Sequence, residues 1–252
     1  TPADVLSAST SVSAVSNYGF LSTVSFGRRC FFAAFLAYER AALIILKNSF
    51  CIGVDNRFYP SPYVGDLEDL RTVKALKETI GRLETLLEVQ PEVVVCDLHP
   101  KYNSTVVAEE LGLPVLRVQH HYAHILSCMA ENDCEEKVIG VSFDGTGYGT
   151  DGTIWGGELL VADCQGFTRL GSIEPFVQVG GDISAKEGWR IAVSLIWQNT
   201  GNLEKTLDTV RKLGLCTDQE AKVLVTMAQR KINAVTSTSE IGRASCRERV
   251  SS

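Results

Sequence analysis

The chain has 252 residues, 45% hydrophobic and 21% charged, with a net charge of −6 and a pI near 5.3. That length buries one large core or two modest ones, and the acidic balance argues against a nucleic-acid surface as its main feature. Its eight cysteines stand singly with no C-x-x-C pair, which excludes a zinc finger within the chain and suits a reduced, cytoplasmic protein with buried thiols.

In chain order, residues 1–42 open with a Ser/Ala/Val run of low complexity followed by crowded aromatics, and read as a linker or an unreliable end. The longest apolar stretch, 30–46, is broken by Glu39 and Arg40, too short and too charged to span a membrane. The first residue is Thr rather than Met, so the chain is read as a fragment. Residues 42–52 and 57–63 read as two strands around a turn at Asp55-Asn56. Asp66 is the expected N-cap of a helix carrying Leu67, Leu70, Val73, Leu76, Ile80, Leu83 and Leu87 on one stripe, ended by Pro91. Residues 93–96 form a buried strand closing on Asp97-Leu98-His99-Pro100. Polar groups at the carboxyl end of such a strand are where open α/β sheets place ligands, although His99 alone reads first as a turn residue.

A helix at 104–111 stopped by Gly112, a strand at 114–119 and a helix carrying Ala123, Ile125, Leu126, Met129 and Ala130 at helical spacing follow. Strands at 138–143, 154–161 and 167–176 come next. An amphipathic helix at 184–199, with Trp189, Ala192, Val193 and Ile196 inward, and helices at 203–213 and 219–232 complete the pattern. The order is that of an α/β protein built from a duplicated unit whose second copy is cut short. The tail EIGRASCRERVSS has three arginines and no apolar periodicity; it resembles translated sequencing-adapter read-through, and 240–252 is set aside as non-native.

Two stretches carry chemistry. In VQHHYAH, His120, His121 and His124 are three of the chain's four histidines. His120 and His124 stand at i and i+4, one turn apart on one helix face, where two neutral imidazoles can grip one cation. With no Glu at the second position the metalloprotease reading fails, leaving a metal or phosphate site, or histidines that cap a strand-to-helix corner. In GVSFDGTGYGTDGTIWGGE, a strand ends in Asp144 and a Gly/Thr loop, and Thr150-Asp151-Gly152-Thr153 forms a turn. Gly145, Gly147, Gly149, Gly156 and Gly157 are expected to supply positive-φ freedom and close backbone approach. The loop reads either as a nest of N–H groups for phosphate with the acid on a metal ion, or as an ordinary hairpin. No Gly-Lys-Ser/Thr follows, so it is not a Walker A loop.

The blocks LKNSFC, GDLEDL, CDLHPKYNST, VQHHYAHILSCMAEN, GVSFDGTGYGTDGTIWGGELLVAD and GGDISAKEGWR, in that order, closely resemble the Kae1-like domain of the HypF carbamoyltransferases of hydrogenase maturation, over about residues 43–235. The resemblance implies an actin-like ATPase fold of the sugar kinase/Hsp70 type, with a first lobe at 43–136 and a partial second lobe at 137–239. It further implies use of carbamoyl phosphate and ATP, through carbamoyl adenylate, to carbamoylate the C-terminal cysteine of a HypE-type partner on the way to the cyanide ligand of [NiFe] hydrogenase. No nucleic acid or membrane is implied.

On matching positions His120, His124 and Asp144 are the expected ligands of a divalent metal, whether zinc, iron or magnesium. Gly145, Thr146 and Gly147, with Gly156 and Gly157, are the expected nucleotide-binding residues. Tyr122 departs from the family where many members have a further His, and Gly188 where Pro is usual. The preceding acylphosphatase, zinc-finger and adenylate-forming modules, and the rest of the second lobe, are expected to lie outside this chain, so the isolated fragment is expected to be inactive. A tRNA threonylcarbamoyl transferase, which has an acid between its two histidines, and a non-catalytic nucleotide- or partner-binding fragment are the alternatives.

Overall fold

The computed structural model of the chain describes residues 42–45, 49–54 and 57–239. The expectations for residues 1–41, for the Asp55-Asn56 turn and for the tail from 240 lie outside the described residues.

The first sheet is built from β1 (Ala42–Ile45), β2 (Phe50–Val54), β3 (Arg57–Pro60), β4 (Val93–Asp97) and β5 (Val115–Val118), in the order β3-β2-β1-β4-β5. The first three strands run antiparallel, while β4 lies parallel to β1 and β5 parallel to β4. The single strand expected over 42–52 is thus two strands of a hairpin, with Ala42 opposite Gly53 and Ile45 opposite Phe50. Both strands are strongly apolar, so hydrophobicity alone does not separate them.

Both faces of this sheet are covered. Side chains alternate across β4, so Val94 and Cys96 join Phe50, Ile52, Leu76, Ile80, Val107 and Ala108 in one core, and Val93 and Val95 enter another. The first core lies under α1 (Leu70–Leu87) and α2 (Asn103–Glu110). α1 is capped by Asp69, whose side chain accepts the N–H of Arg71; Asp66 instead accepts the N–H of Glu68, one turn earlier. Leu76 and Ile80 are buried as the stripe predicts, but Leu70, in the exposed first turn, is 83% exposed.

The second core is organised around α3 (His120–Glu131), which follows β5 directly and lies between the first sheet and a second one. The second sheet contains β6 (Val138–Tyr148), β7 (Ile154–Asp163), β8 (Gly166–Ser172), β9 (Phe176–Val179) and β10 (Ala234–Ser237), in the order β6-β7-β10-β9 with β8 paired to β7. Tyr122, Ala123, Ile125, Leu126 and Met129 of α3 pack with Val93, Val95 and Val118 of the first sheet and with Trp155, Leu160 and Ala162 of the second. The period-2 alternation of β6 turns Gly140 and Ser142 inward and leaves Ile139, Val141 and Phe143 exposed.

Beyond β9 come α4 (Asp182–Lys186), α5 (Trp189–Thr200), α6 (Leu203–Leu213) and α7 (Asp218–Arg230). The strand expected at 167–176 is split into β8 and β9, and the helix expected at 184–199 into α4 and α5. The helix breaks at Gly188, which has no side chain to cap α5, and the N–H of Arg190 bonds instead to the carbonyl of Glu187. β10 was not foreseen: four residues of mixed polarity carry no periodic signal, and its place is set by pairing with β9 and, at Ser237 opposite Ile154, with β7. A third core of Val179, Val193, Leu207, Val210, Ala221, Leu224 and Val225 holds these helices to the strands.

α3 comes close enough to β6 that a Cβ on Gly140 would lie 2.4 Å from Cδ1 and 2.8 Å from Cγ2 of Ile125. Gly140→Ala is therefore expected to destabilise the chain by about 1–3 kcal/mol through overpacking. Combined with Ile125→Ala it should cost less than the two single changes together, which chemical denaturation of the four-member cycle checks.

Candidate metal centre

β4, β5, α3 and β6 deliver the site. Asp97, the last residue of β4, pairs with Val118 at the end of β5, two residues before His120 opens α3. Gln119 caps the helix: its Oε1 accepts the N–H of Tyr122 at 2.9 Å, while its Nε2 donates to the carbonyl of Tyr148 and lies 3.2 Å from Nδ1 of His121. One buried side chain thus ties the helix start to the end of β6.

His120 lies between two carboxylates, its Nδ1 3.0 Å from Asp97 Oδ2 and its Nε2 2.8 Å from Asp144 Oδ2. His124 Nε2 stands 3.2 Å from His120 Nε2 and 3.6 Å from Asp144 Oδ2. The structure therefore brings together His120, His124 and Asp144, whose ligand atoms lie within 4.8 Å of one another. Two imidazoles and one carboxylate suit a borderline transition-metal ion such as zinc or iron; magnesium favours all-oxygen sites. The donor set fits a divalent cation, and His124, the most exposed of the three, marks the open side.

Burial works against charge on His120, but the hydrogen bonds and charges of Asp144 and Asp97 outweigh it and raise its pKa to about 9. Burial opposes the charge of Asp144 too, yet contacts with His120 and His124 hold its carboxyl well below the usual range. His121 is fully buried, and burial together with the charge of His120 lowers it to about 3, so it stays neutral.

Of the two roles expected of the glycines, the structure shows close approach but not positive φ. β6 does not stop at Phe143; it runs to Tyr148 through an irregularity between Phe143 and Gly147. Among the five glycines expected at positive φ, none has it; in this stretch the left-handed residue is Gly152, φ +76°, in the turn. Close approach is what they provide. A Cβ on Gly147 would meet the His121 ring at 2.5 Å and His120 Cβ at 3.0 Å, and one on Gly156 would lie 2.4 Å from Ser239 Cα. The N–H of Gly145 donates to Asp144 Oδ1, that of Gly156 to Glu158 and Thr238, and that of Gly157 to the Thr238 carbonyl, so all three are used within the protein. Thr146 is exposed.

Asp97, Glu158 and Arg169 carry no local sequence signal of their place near the site. In sequence Asp97 is a polar residue at a strand end, and its contact with His120 comes from the fold. Glu158, 1% exposed, bonds Arg169 Nε at 2.7 Å and the Thr238 hydroxyl, which joins β7, β8 and the segment after β10. Arg169 also reaches Asp151 and lies 4.1 Å over the Trp155 ring. Tyr122, a departure from the resembling family, is buried with its hydroxyl donating to the carbonyl of Asp163. His99 stacks on Tyr102 at 4.0 Å and meets Tyr148 edge-on.

Two outcomes follow from the geometry. In metal-free protein the His120 pairing contributes stability that is complete below about pH 6.5, the ordinary histidine value, and is lost as the pH rises through about 9. Unfolding free energies measured from pH 6 to 10 under chelation should fall over that window, and Asp144→Asn should flatten the fall. Gly147→Val should disturb the imidazoles themselves and abolish metal retention, measured by metal analysis after desalting.

Residues 45–131 match the family described as the HypF Kae1-like domain, and residues 140–244 the carbamoyltransferase Kae1-like domain, second subdomain. The second match takes in the first five residues of the tail that had been set aside. Carbamoyltransferase HypF of Synechocystis is 44% identical over 157 residues, 62% of this chain and 20% of the relative. The carbamoyltransferase HypF homolog of Cupriavidus necator is 38% identical over 199 residues, 77% of this chain and 50% of the relative. The crystal structure of full-length HypF in its phosphate- and nucleotide-bound form is similar with a TM-score of 0.75 and 34% identity, over 84% of this chain and 28% of that one. HypF of T. kodakarensis gives 0.70 and 29%, over 84% and 30%. The chain thus spans between a fifth and a half of the length of these relatives. With both subdomains matched in sequence and the same fold found in solved relatives, the chain belongs to the carbamoyltransferase HypF family, of which it carries Kae1-like domain sequence.

Proposed function

We propose that this chain supplies part of the nucleotide- and metal-dependent half of a carbamoyltransferase of [NiFe] hydrogenase maturation. In that role carbamoyl adenylate, made from carbamoyl phosphate and ATP, gives its carbamoyl group to the C-terminal cysteine of a HypE-type partner. The observation that carries it is the convergence of His120 and His124 from α3 with Asp144 from β6. A solved relative of 34% identity is described as phosphate- and nucleotide-bound, which supports a nucleotide at the same fold.

The two sheets are read as the two lobes of an actin-like ATPase fold. In support, the antiparallel β1-β2-β3 start of the first sheet is echoed by antiparallel β6-β7-β8 in the second. The second sheet then diverges, because β10 pairs with β7 and β9, whereas β4 pairs with β1. Among the described residues no helix is long and apolar enough to cross a membrane, and all six described cysteines are free thiols, which suits a reducing cytoplasmic setting.

A divalent cation at this centre would supply positive charge to neutralise phosphate oxygens and polarise the bond to the leaving nucleotide. His120 and His124 must present unprotonated Nε2 atoms to hold it, so occupancy requires His120 to release a proton that Asp144 otherwise keeps in place. Asp144 would otherwise repel phosphate at this position, so its natural role is metal ligand rather than phosphate contact. With Gly145, Gly156 and Gly157 N–H groups used internally, Thr146 is the residue of the expected nucleotide set left facing outward.

The wild-type chain loaded with zinc or iron and then desalted should retain close to one ion, and the His120→Ala/His124→Ala variant none. Asp144→Asn should weaken metal retention and calorimetric ATP affinity together, each by tenfold or more. Unchanged stoichiometry in the double variant overturns the metal centre.

A further inference from the structure

Asp97 is in none of the expected ligand or nucleotide sets, yet it makes the contact that decides which His120 nitrogen faces the centre. One carboxylate oxygen, Oδ2, lies 3.0 Å from His120 Nδ1; the other, Oδ1, accepts the N–H of His99 at 2.8 Å. The loop that holds it is itself anchored, since the Thr105 hydroxyl donates to the carbonyl of His99 at 2.8 Å. The Asp97 side chain is 16% exposed, and it reaches His120 from the first sheet while Asp144 reaches it from the second.

A neutral imidazole carries one proton and can place it on either nitrogen. Both carboxylates accept a hydrogen bond and donate none, so in the metal-free ring each holds a proton. Once a cation takes the Nε2 lone pair and the Asp144 oxygen, the one remaining proton belongs on Nδ1, where Asp97 accepts it. Left without Asp97, the ring would keep an acceptor only at Nε2, where the Asp144 oxygen holds the proton and withdraws the lone pair from the centre. We infer that Asp97 is a positioning residue of the metal centre, which fixes His120 as the Nδ1–H tautomer and so presents Nε2 as the ligand atom. This rests on the proposed metal centre and adds a residue to it.

Asparagine is not an equivalent replacement here. Both partners of Asp97 are N–H donors, and an amide has one acceptor oxygen for them, so Asp97→Asn must oppose its NH₂ to one of the two donors. The test uses the 252-residue chain with Co²⁺ as the probe. Wild type, Asp97→Asn, Asp97→Ala and His120→Ala are titrated by visible absorption. The ¹⁵N shifts of His120 are recorded in diamagnetic Zn²⁺-loaded protein. Both Asp97 variants should bind Co²⁺ about 10–100-fold more weakly while still reaching one ion at saturation, the range typical of such outer partners. The wild-type His120 signals should show a protonated Nδ1 and a metal-bound Nε2, and the Asp97 variants should lose that pattern.

Wild-type Co²⁺ affinity in both Asp97 variants, with binding lost in His120→Ala, overturns the role of Asp97 and leaves the metal centre standing. No Co²⁺ uptake by the wild type overturns the metal centre, and the inference with it. Should Asp97→Ala fail to fold, Asp97→Asn and the ¹⁵N pattern of the unmutated protein still decide, because a proton found on Nε2 of His120 in loaded protein rules the assignment out. A merely structural role would lower the melting temperature of the Asp97 variants without changing the tautomer.

Discussion

One imidazole between two carboxylates is the contact on which the arrangement depends. His120 opens α3, and α3 is the helix that both sheets share. Asp97 comes from the first sheet and Asp144 from the second, so the distances of 3.0 and 2.8 Å record how the two sheets are set against each other. Nothing large could stand between the helix start and β6. That is why Gly147 faces the His121 ring without a side chain, and why Gly140 does the same against Ile125 one helical turn further on. The packing of apolar side chains around Leu126 brings the elements together, and the absence of side chains at the seam decides how close they come.

Two charge systems, one around buried Glu158 and one partly exposed around His120, sit near this seam, and they are built differently. Glu158 is fully satisfied: Arg169, Thr238 and the N–H of Gly156 occupy its oxygens, and Arg169 is further held by Asp151 and the Trp155 ring. Such a closed network has no capacity for a ligand and serves to hold strands in register. The His120 group is different in kind. It places two carboxylates beside the amino end of a helix, which favours negative charge, and it leaves His124 partly open to solvent. Its own histidine proton supplies the compensation that a cation would supply more strongly.

Much of this was legible in the sequence wherever a regular period runs long enough. α6 begins and ends where its pattern predicts, and the i, i+4 spacing placed His120 and His124 on one face. Asp144 could be named because an acid after a buried strand, among glycines, is an unusual local pattern and because the family resemblance covers it. Adjacent apolar strands read as one, as with β1 and β2, because hydrophobicity alone does not mark where a chain reverses. The role of Asp97 depends on a partner 23 positions away across a parallel strand pair, which no local spacing reveals. Only the positive φ expected of the glycines fails, for a related reason: a glycine needed for conformation and one needed because a ring lies 2.5 Å from its missing Cβ are the same letter.

The Trp155 environment has a further consequence, and it is optical. The indole is buried, its N–H bonded to Asp151 at 3.0 Å and its face covered by the Arg169 guanidinium; the neutral His121 ring is 6.4 Å away. An indole so shielded from water emits at shorter wavelength than a hydrated one, and its intensity responds to nearby imidazole and guanidinium groups. Trp189 and Trp197 belong to α5 and to a separate core. The chain thus carries its own fluorophore at the junction of helix and second sheet, where any shift of α3 relative to β6 changes the groups around the ring.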